Sequence, residues 1–88
     1  MNIKDELLKA KWLSKCVGDD YESNWGFKSA LQFCLDKREE GWLLQEFIDN
    51  RNSIIETYKN IEGPYKDGYL YGLKLNIEEL QKELKTNE

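Results

Sequence analysis

Apolar residues along this chain recur at helical intervals. Near the C-terminus Leu70, Leu73, Ile77, Leu80 and Leu84 follow one another at steps of three and four, the a/d seam of a heptad. Gly68 and Gly72 stand one turn apart at the start of that segment, where a neighbouring backbone can come close. Upstream, Phe27, Ala30, Leu31, Cys34 and Leu35 form an i, i+3, i+4, i+7 stripe. A third stripe runs through Leu44, Phe47, Ile48, Ile55 and Tyr58, with Leu43, Ile54 and Ile61 at its edge. Ile3, Leu7, Leu8, Ala10, Trp12, Leu13, Cys16 and Val17 spread over more than one face, so a first helix there is contacted on two sides. The pattern predicts an all-α bundle of about four helices, at 3–17, 27–40, 42–61 and 65–85, with short loops. The last two form a long antiparallel hairpin.

Punctuating residues support these boundaries. Asn2 can cap the first helix, and Gly18 can close it. Residues 18–26 read as a loop whose aromatics, Tyr21 and Trp25, fold back onto the core, with Ser23 or Asn24 capping the helix that follows. Gly41 can end that helix, and Gly63-Pro64 is a firm stop before the last one. Two stretches stay open. Asp49-Asn50-Arg51-Asn52 is either a helix interior with Arg51 partly buried, or a break after which Ser53 and Glu56 make a capping box. At 65–75, Asp67-Gly68 and the alternation of Tyr69, Tyr71, Leu73 and Leu75 also fit a β-hairpin, with Asn76 capping a helix from Ile77 and an α+β fold as the result. A strand there lacks an evident partner and Pro64 interrupts the arm before the turn, so the continuous helix is the stronger reading.

Composition narrows the function more than the fold. The chain has 88 residues, enough for one domain spanning 1–88. It carries a net charge of −4, which disfavours nucleic-acid binding, a process driven by neutralising phosphates. The same acidity suits a decoy for a basic nucleic-acid site if Asp19, Asp20, Glu22, Asp36, Glu39 and Glu40 gather in one patch. There is no histidine, and Cys16 and Cys34 fall on apolar faces where reduced core thiols are common, so neither a metal nor another cofactor is expected. No apolar run reaches the roughly 20 residues of a membrane span and no signal-peptide pattern opens the chain, so no membrane contact and a cytoplasmic location are expected.

Catalytic patterns are missing. Without histidine the commonest general base is gone, the adjacent carboxylates Glu39/Glu40 and Glu78/Glu79 diverge on a helix, and Gly68-x-x-x-Gly72 lacks the lysine of a phosphate loop. The expectation is a non-enzymatic protein that binds another protein, or itself through the 70–84 seam. Candidate interface residues are Phe33, Trp42 and Tyr71, which fall off the main apolar faces, Arg51, and the seam residues Leu70, Leu73, Ile77, Leu80 and Leu84. A small-ligand binder using Arg51 is a further alternative. The Tyr65-x-x-x-Tyr69-x-x-Gly72-Leu73 pattern and the Lys-, Asn- and Glu-rich composition resemble those of small phage and mobile-element proteins. That resemblance implies a regulator or inhibitor directed at a host protein, and assigns no residue a role.

Overall fold

The computed structural model describes residues 8, 9 and 21–86. These are helical throughout apart from short connections. Three helices follow in order: α1 (Tyr21–Glu39), α2 (Leu44–Thr57) and α3 (Pro64–Thr86). Leu8 and Lys9 are helical as well, and Leu8 joins the core. The rest of the helix expected at 3–17 lies outside the described residues.

α1 starts earlier than the sequence suggests. Residues 21–26 are its first turns and not a loop, and Ser23 and Asn24 sit inside the helix instead of capping it. Local signals lose here to packing: Gly26 is buried against α3, and Trp25 meets Tyr65 edge-to-face at 5.8 Å. At the other end Gly41 adopts a φ of 91°. The Gly41 N–H donates to the Arg38 carbonyl and the Trp42 N–H to that of Lys37, the paired bonds of a Schellman motif.

α2 runs unbroken through Asp49-Asn50-Arg51-Asn52, so the proposed break and the Ser53 cap are not formed. Gln45 donates to Asp49 one turn on (3.0 Å), which ties the polar run into the helix. The helix is shorter than the expected 42–61, because Trp42 lies outside it, Leu43 is extended and Tyr58 caps its end. Pro64 then opens α3, whose first bond runs from the Asp67 N–H to the Gly63 carbonyl. α3 continues to Thr86 without interruption. The hairpin alternative at 65–75 is therefore wrong, and Asn76 is buried mid-helix instead of capping one.

The chain runs up, down and up. Trp25 lies beside Tyr65 and Arg38 beside Glu83, so α1 and α3 are parallel. α2 returns alongside α3, with Trp42 against Phe33 just before its start and Ile54 and Tyr58 facing Tyr65 and Tyr69 at its end. The principal packing is between α1 and α3, not within the α2–α3 hairpin. Glycine explains why. A Cβ on Gly26 would collide with the Tyr65 carbonyl, and one on Gly68 with the Ser23 carbonyl. At Gly72 a Cβ would come within 2.7 Å of the Ala30 methyl. Small residues one turn apart on both helices thus bring the backbones into contact. Gly68 and Gly72 do mark the closest approach, but to α1 and not to the helix preceding them.

Below this contact the core is Phe27, Ala30, Leu31 and Cys34 of α1, Phe47 of α2, and Leu73 and Ile77 of α3. At the far end Arg38 Nη2 donates to both carboxylate oxygens of Glu83 at 2.9 Å, closing the pair with a largely buried ion pair.

Alanine at Gly68 or Gly26 gains about 1 kcal/mol of helix propensity yet must push two backbones apart. The expected net effect is a loss of about 1–3 kcal/mol, read as a lower denaturation midpoint. Gly63→Ala, where a Cβ meets open space, should change the midpoint little. Equal midpoints for Gly68→Ala and Gly63→Ala would contradict the packing described.

Candidate functional site

The residues expected at an interface divide into three groups. Leu73 and Ile77 are core residues, and Leu80 packs against that core. Most of the 70–84 seam is therefore used inside the fold; Leu70 is half-buried, and Leu84 is exposed. Phe33 and Trp42 also lean on the core, edge-to-face at 5.4 Å, with Trp42 reaching Phe47 at 5.3 Å and the Lys37 ammonium over both rings. This cluster seals the α1–α2 corner.

Tyr71 is the exposed one of the three off-stripe aromatics. Its ring rests on Phe27 at 5.3 Å and borders a shallow cleft of about 220 Å³ with Ser23, Asn24, Asp67 and Gly68. Arg51 is half-buried on the inner side of α2. Its Nε, the Asn50 Nδ2 and both amide atoms of the fully buried Asn76 find no hydrogen-bond partner. An unsatisfied buried amide costs about 1–3 kcal/mol. Neither cleft described here is lined by Arg51. Nor do the acids form one patch. Glu22 stands in the first turn of α1, whereas Asp36, Glu39 and Glu40 are at its far end, about 25 Å away at 1.5 Å per residue, interleaved with Lys37 and Arg38. Asp19 and Asp20 lie outside the described residues.

A different surface stands out at the end where α1 and α3 begin. Tyr21 and Trp25 on α1, one turn apart, continue into Tyr65 and Tyr69 on α3, also one turn apart. Successive ring centroids are separated by 6.2, 5.8 and 6.2 Å. The rings do not fold back onto the core as expected: Tyr21 is 77% and Trp25 57% exposed. The glycine contact accounts for this, because backbones that touch leave no room between them and the flanking rings are turned outward. Tyr65, Tyr69, Tyr58, Ile54 and Lys66 line a cleft of about 240 Å³ beside this row, at the junction of α2 and α3. Lys66 Nζ donates to the Tyr58 carbonyl at 3.1 Å and so anchors the end of α2 over it. The row was readable in principle from the i, i+4 pairs Tyr21/Trp25 and Tyr65/Tyr69. The loop-like composition of residues 18–26 conceals it.

Two of the polar groups near the core are held protonated. Burial raises the Tyr69 phenol above its ordinary value, and Cys34, Tyr65 and Tyr58 push in the same direction. Burial pushes the Cys34 thiol up from 9.0 to about 12, with Arg38 acting weakly against it. Cys34 is thus a free, buried thiol and a poor nucleophile. Among the described residues no three of His, Cys, Asp and Glu stand close enough together to hold a metal ion. No helix among them is long and apolar enough to cross a membrane. No protein-family model matches the chain, and no curated protein or solved structure matches it.

The Cys34 shift predicts a pH dependence. In the unfolded chain the thiol ionises near 9, while the folded protein keeps the proton to about 12. The unfolded state therefore loses its proton first, and stability that is complete below pH 9 declines between 9 and 12 by up to about 1.4 kcal/mol per pH unit. Urea denaturation at pH 8 and 10.5 should show a larger loss for the wild type than for Cys34→Ala. Identical losses in the two proteins would remove the assignment.

Proposed function

We propose that this protein acts without catalysis, by binding another protein through the aromatic face built from Tyr21, Trp25, Tyr65 and Tyr69. One observation carries the reading: four contiguous rings, two of them more than half exposed, on a domain of this size. Exposed aromatic anchors on rigid helices dominate interface energetics, because they bury a large area and lose little side-chain entropy. The protonated Cys34 and the absence of histidine favour a binding role over a chemical one. A regulator or inhibitor of a host protein is the role that agrees with this chemistry. Self-association, if it occurs, would use this face more readily than the seam, since Leu73 and Ile77 are already covered.

The test compares wild type with the double variant Trp25→Ala/Tyr65→Ala as baits in a lysate of the source organism, after circular dichroism has established equal helicity. A partner retained in stoichiometric amount by the wild type should be lost from the variant. Equal recovery on both baits would show that the aromatic face is not the binding surface. Light scattering at tens of micromolar (about the concentration at which a micromolar dimer is populated) should report a monomer. A dimer abolished by the same substitutions would replace the host partner with a second copy.

A further inference from the structure

We infer that the cleft between α2 and α3 takes the end of a partner chain: a C-terminal residue with an aromatic or branched side chain and a free carboxylate. This inference rests on the protein-binding reading above and adds the chemistry of the partner. The first argument is charge. Lys66 lines the cleft together with Ile54, Tyr58, Tyr65 and Tyr69. None of the ion pairs among the described residues involves Lys66, whereas Lys59, just past the end of α2, is paired with Glu56 at 2.7 Å. The Lys66 ammonium has three donors, and the Tyr58 carbonyl takes one of them at 3.1 Å. That carbonyl is neutral and also accepts from the Ile61 N–H at 2.9 Å, so the positive charge stays uncompensated in the cleft. A carboxylate is the group that meets it. Glu22, next to Tyr21, and Glu62, three residues before Tyr65, are both exposed. One cation flanked by acids admits a single carboxylate and opposes a run of them.

The second argument is hydrogen-bond polarity. No hydrogen bond among the described residues uses the Tyr58, Tyr65 or Tyr69 hydroxyl. Burial keeps the Tyr69 phenol protonated above its ordinary range, so it remains a donor. An ionised carboxylate only accepts, and it offers two oxygens to these donors and the ammonium. The third argument is shape. The cleft holds about 240 Å³, less than the roughly 300–1,000 Å³ of a site for a drug-sized molecule, while a cavity of about 150 Å³ already accepts a benzene ring. One side chain and its carboxylate fit, with Ile54 and the tyrosine rings as the apolar lining. The Lys66–Tyr58 bond ties α3 to the end of α2 where the two helices connect, so a chain can finish there instead of running through. In the other direction Tyr65 meets Trp25 at 5.8 Å and Trp25 meets Tyr21 at 6.2 Å, which gives the preceding residues a continuous aromatic row to cross. A free small acid would leave that row uncovered, and a chain end covers it.

The experiment is a two-dimensional amide NMR titration of the full chain with acetyl-Ala-Leu-Ala-Phe bearing a free C-terminus. The same peptide with an amidated C-terminus and free phenylpropionate serve as controls. The amides of residues 54–58 and 65–69 and the Trp25 indole N–H should shift and saturate with the acid peptide, at a Kd of about 1 mM or below. The amidated peptide should bind at least about fivefold more weakly, through the loss of one charge-assisted contact. Lys66→Met should lower the acid peptide to the level of its amide, and Lys66→Arg should keep the difference, with equal helicity of both variants established by circular dichroism. Phenylpropionate should bind more weakly than the acid peptide and leave Trp25 unshifted. No saturable shift at about 2 mM acid peptide would overturn the inference. Equal affinities for acid and amide would do the same, as would a preference for the acid that survives Lys66→Met. Phenylpropionate binding as tightly as the peptide would overturn it by assigning the cleft to small free acids. Shifts of the same resonances with protein concentration alone would overturn it by assigning the face to a second copy. If the acid peptide fails while Trp25→Ala/Tyr65→Ala still loses the cellular partner, the chain-end chemistry is wrong and the face stands. If partner recovery survives that substitution, the protein-binding reading falls and this inference with it.

Discussion

The Cα of Gly26 lies against the carbonyl of Tyr65, and the Cα of Gly68 against that of Ser23, with Gly72 over the Ala30 methyl one turn further. Such Cα–H···O contacts are worth about 0.5–1 kcal/mol each, but their larger effect is steric. They fix how closely α1 and α3 approach, and therefore which side chains can lie between the two helices. At the level of the glycines none can, so Tyr21, Trp25, Tyr65 and Tyr69 are left outside as a row. Further along, where larger residues return, Leu31, Cys34, Leu73 and Ile77 separate the helices and form the core.

The two ends of the molecule consequently differ in character. One is sealed: the Schellman turn at Gly41 folds Trp42 back over Phe33 and Phe47, and Arg38 bonds Glu83 across the helices. The other end is open, aromatic and rich in hydroxyl donors. A stable interior needs the first arrangement, and recognition needs the second. Segregating them lets a small domain keep an apolar core at one end while presenting rings that a monomer would otherwise bury. Because these rings cannot enter the core, covering them need not disturb the fold.

Much of the helical framework was legible from the chain itself. Gly41 and Pro64 marked real ends because each has a local reason, a positive φ in one case and a fixed φ without a donor in the other. The stripe Phe27, Ala30, Leu31 and Cys34 became core because helical periodicity is a property of nearby residues. Errors arose where distant contacts decide. Gly26 resembles a loop residue and Asp67-Gly68 a turn, yet both glycines are helical, each with the other helix lying against it. The polar run at 49–52 looked like a break, although side chains such as Asp49 and Asn52 simply face water on a continuous α2. The aromatic row is hidden from local patterns for the same reason. Trp42 and Phe33, singled out for lying off the stripes, are spent on packing, whereas Trp25 and Tyr65 are brought together only by the glycine contact.

That contact is open to direct measurement. A nuclear Overhauser spectrum of the labelled protein should connect Gly68 Hα with protons of Ser23 and Phe27, and the Trp25 indole with the Tyr65 ring. Those cross-peaks would place the two backbones against each other and the rings in one row. Helical amide patterns for α1 and α3 without any cross-peak between Gly68 and Ser23 or Phe27 would contradict the account at its centre.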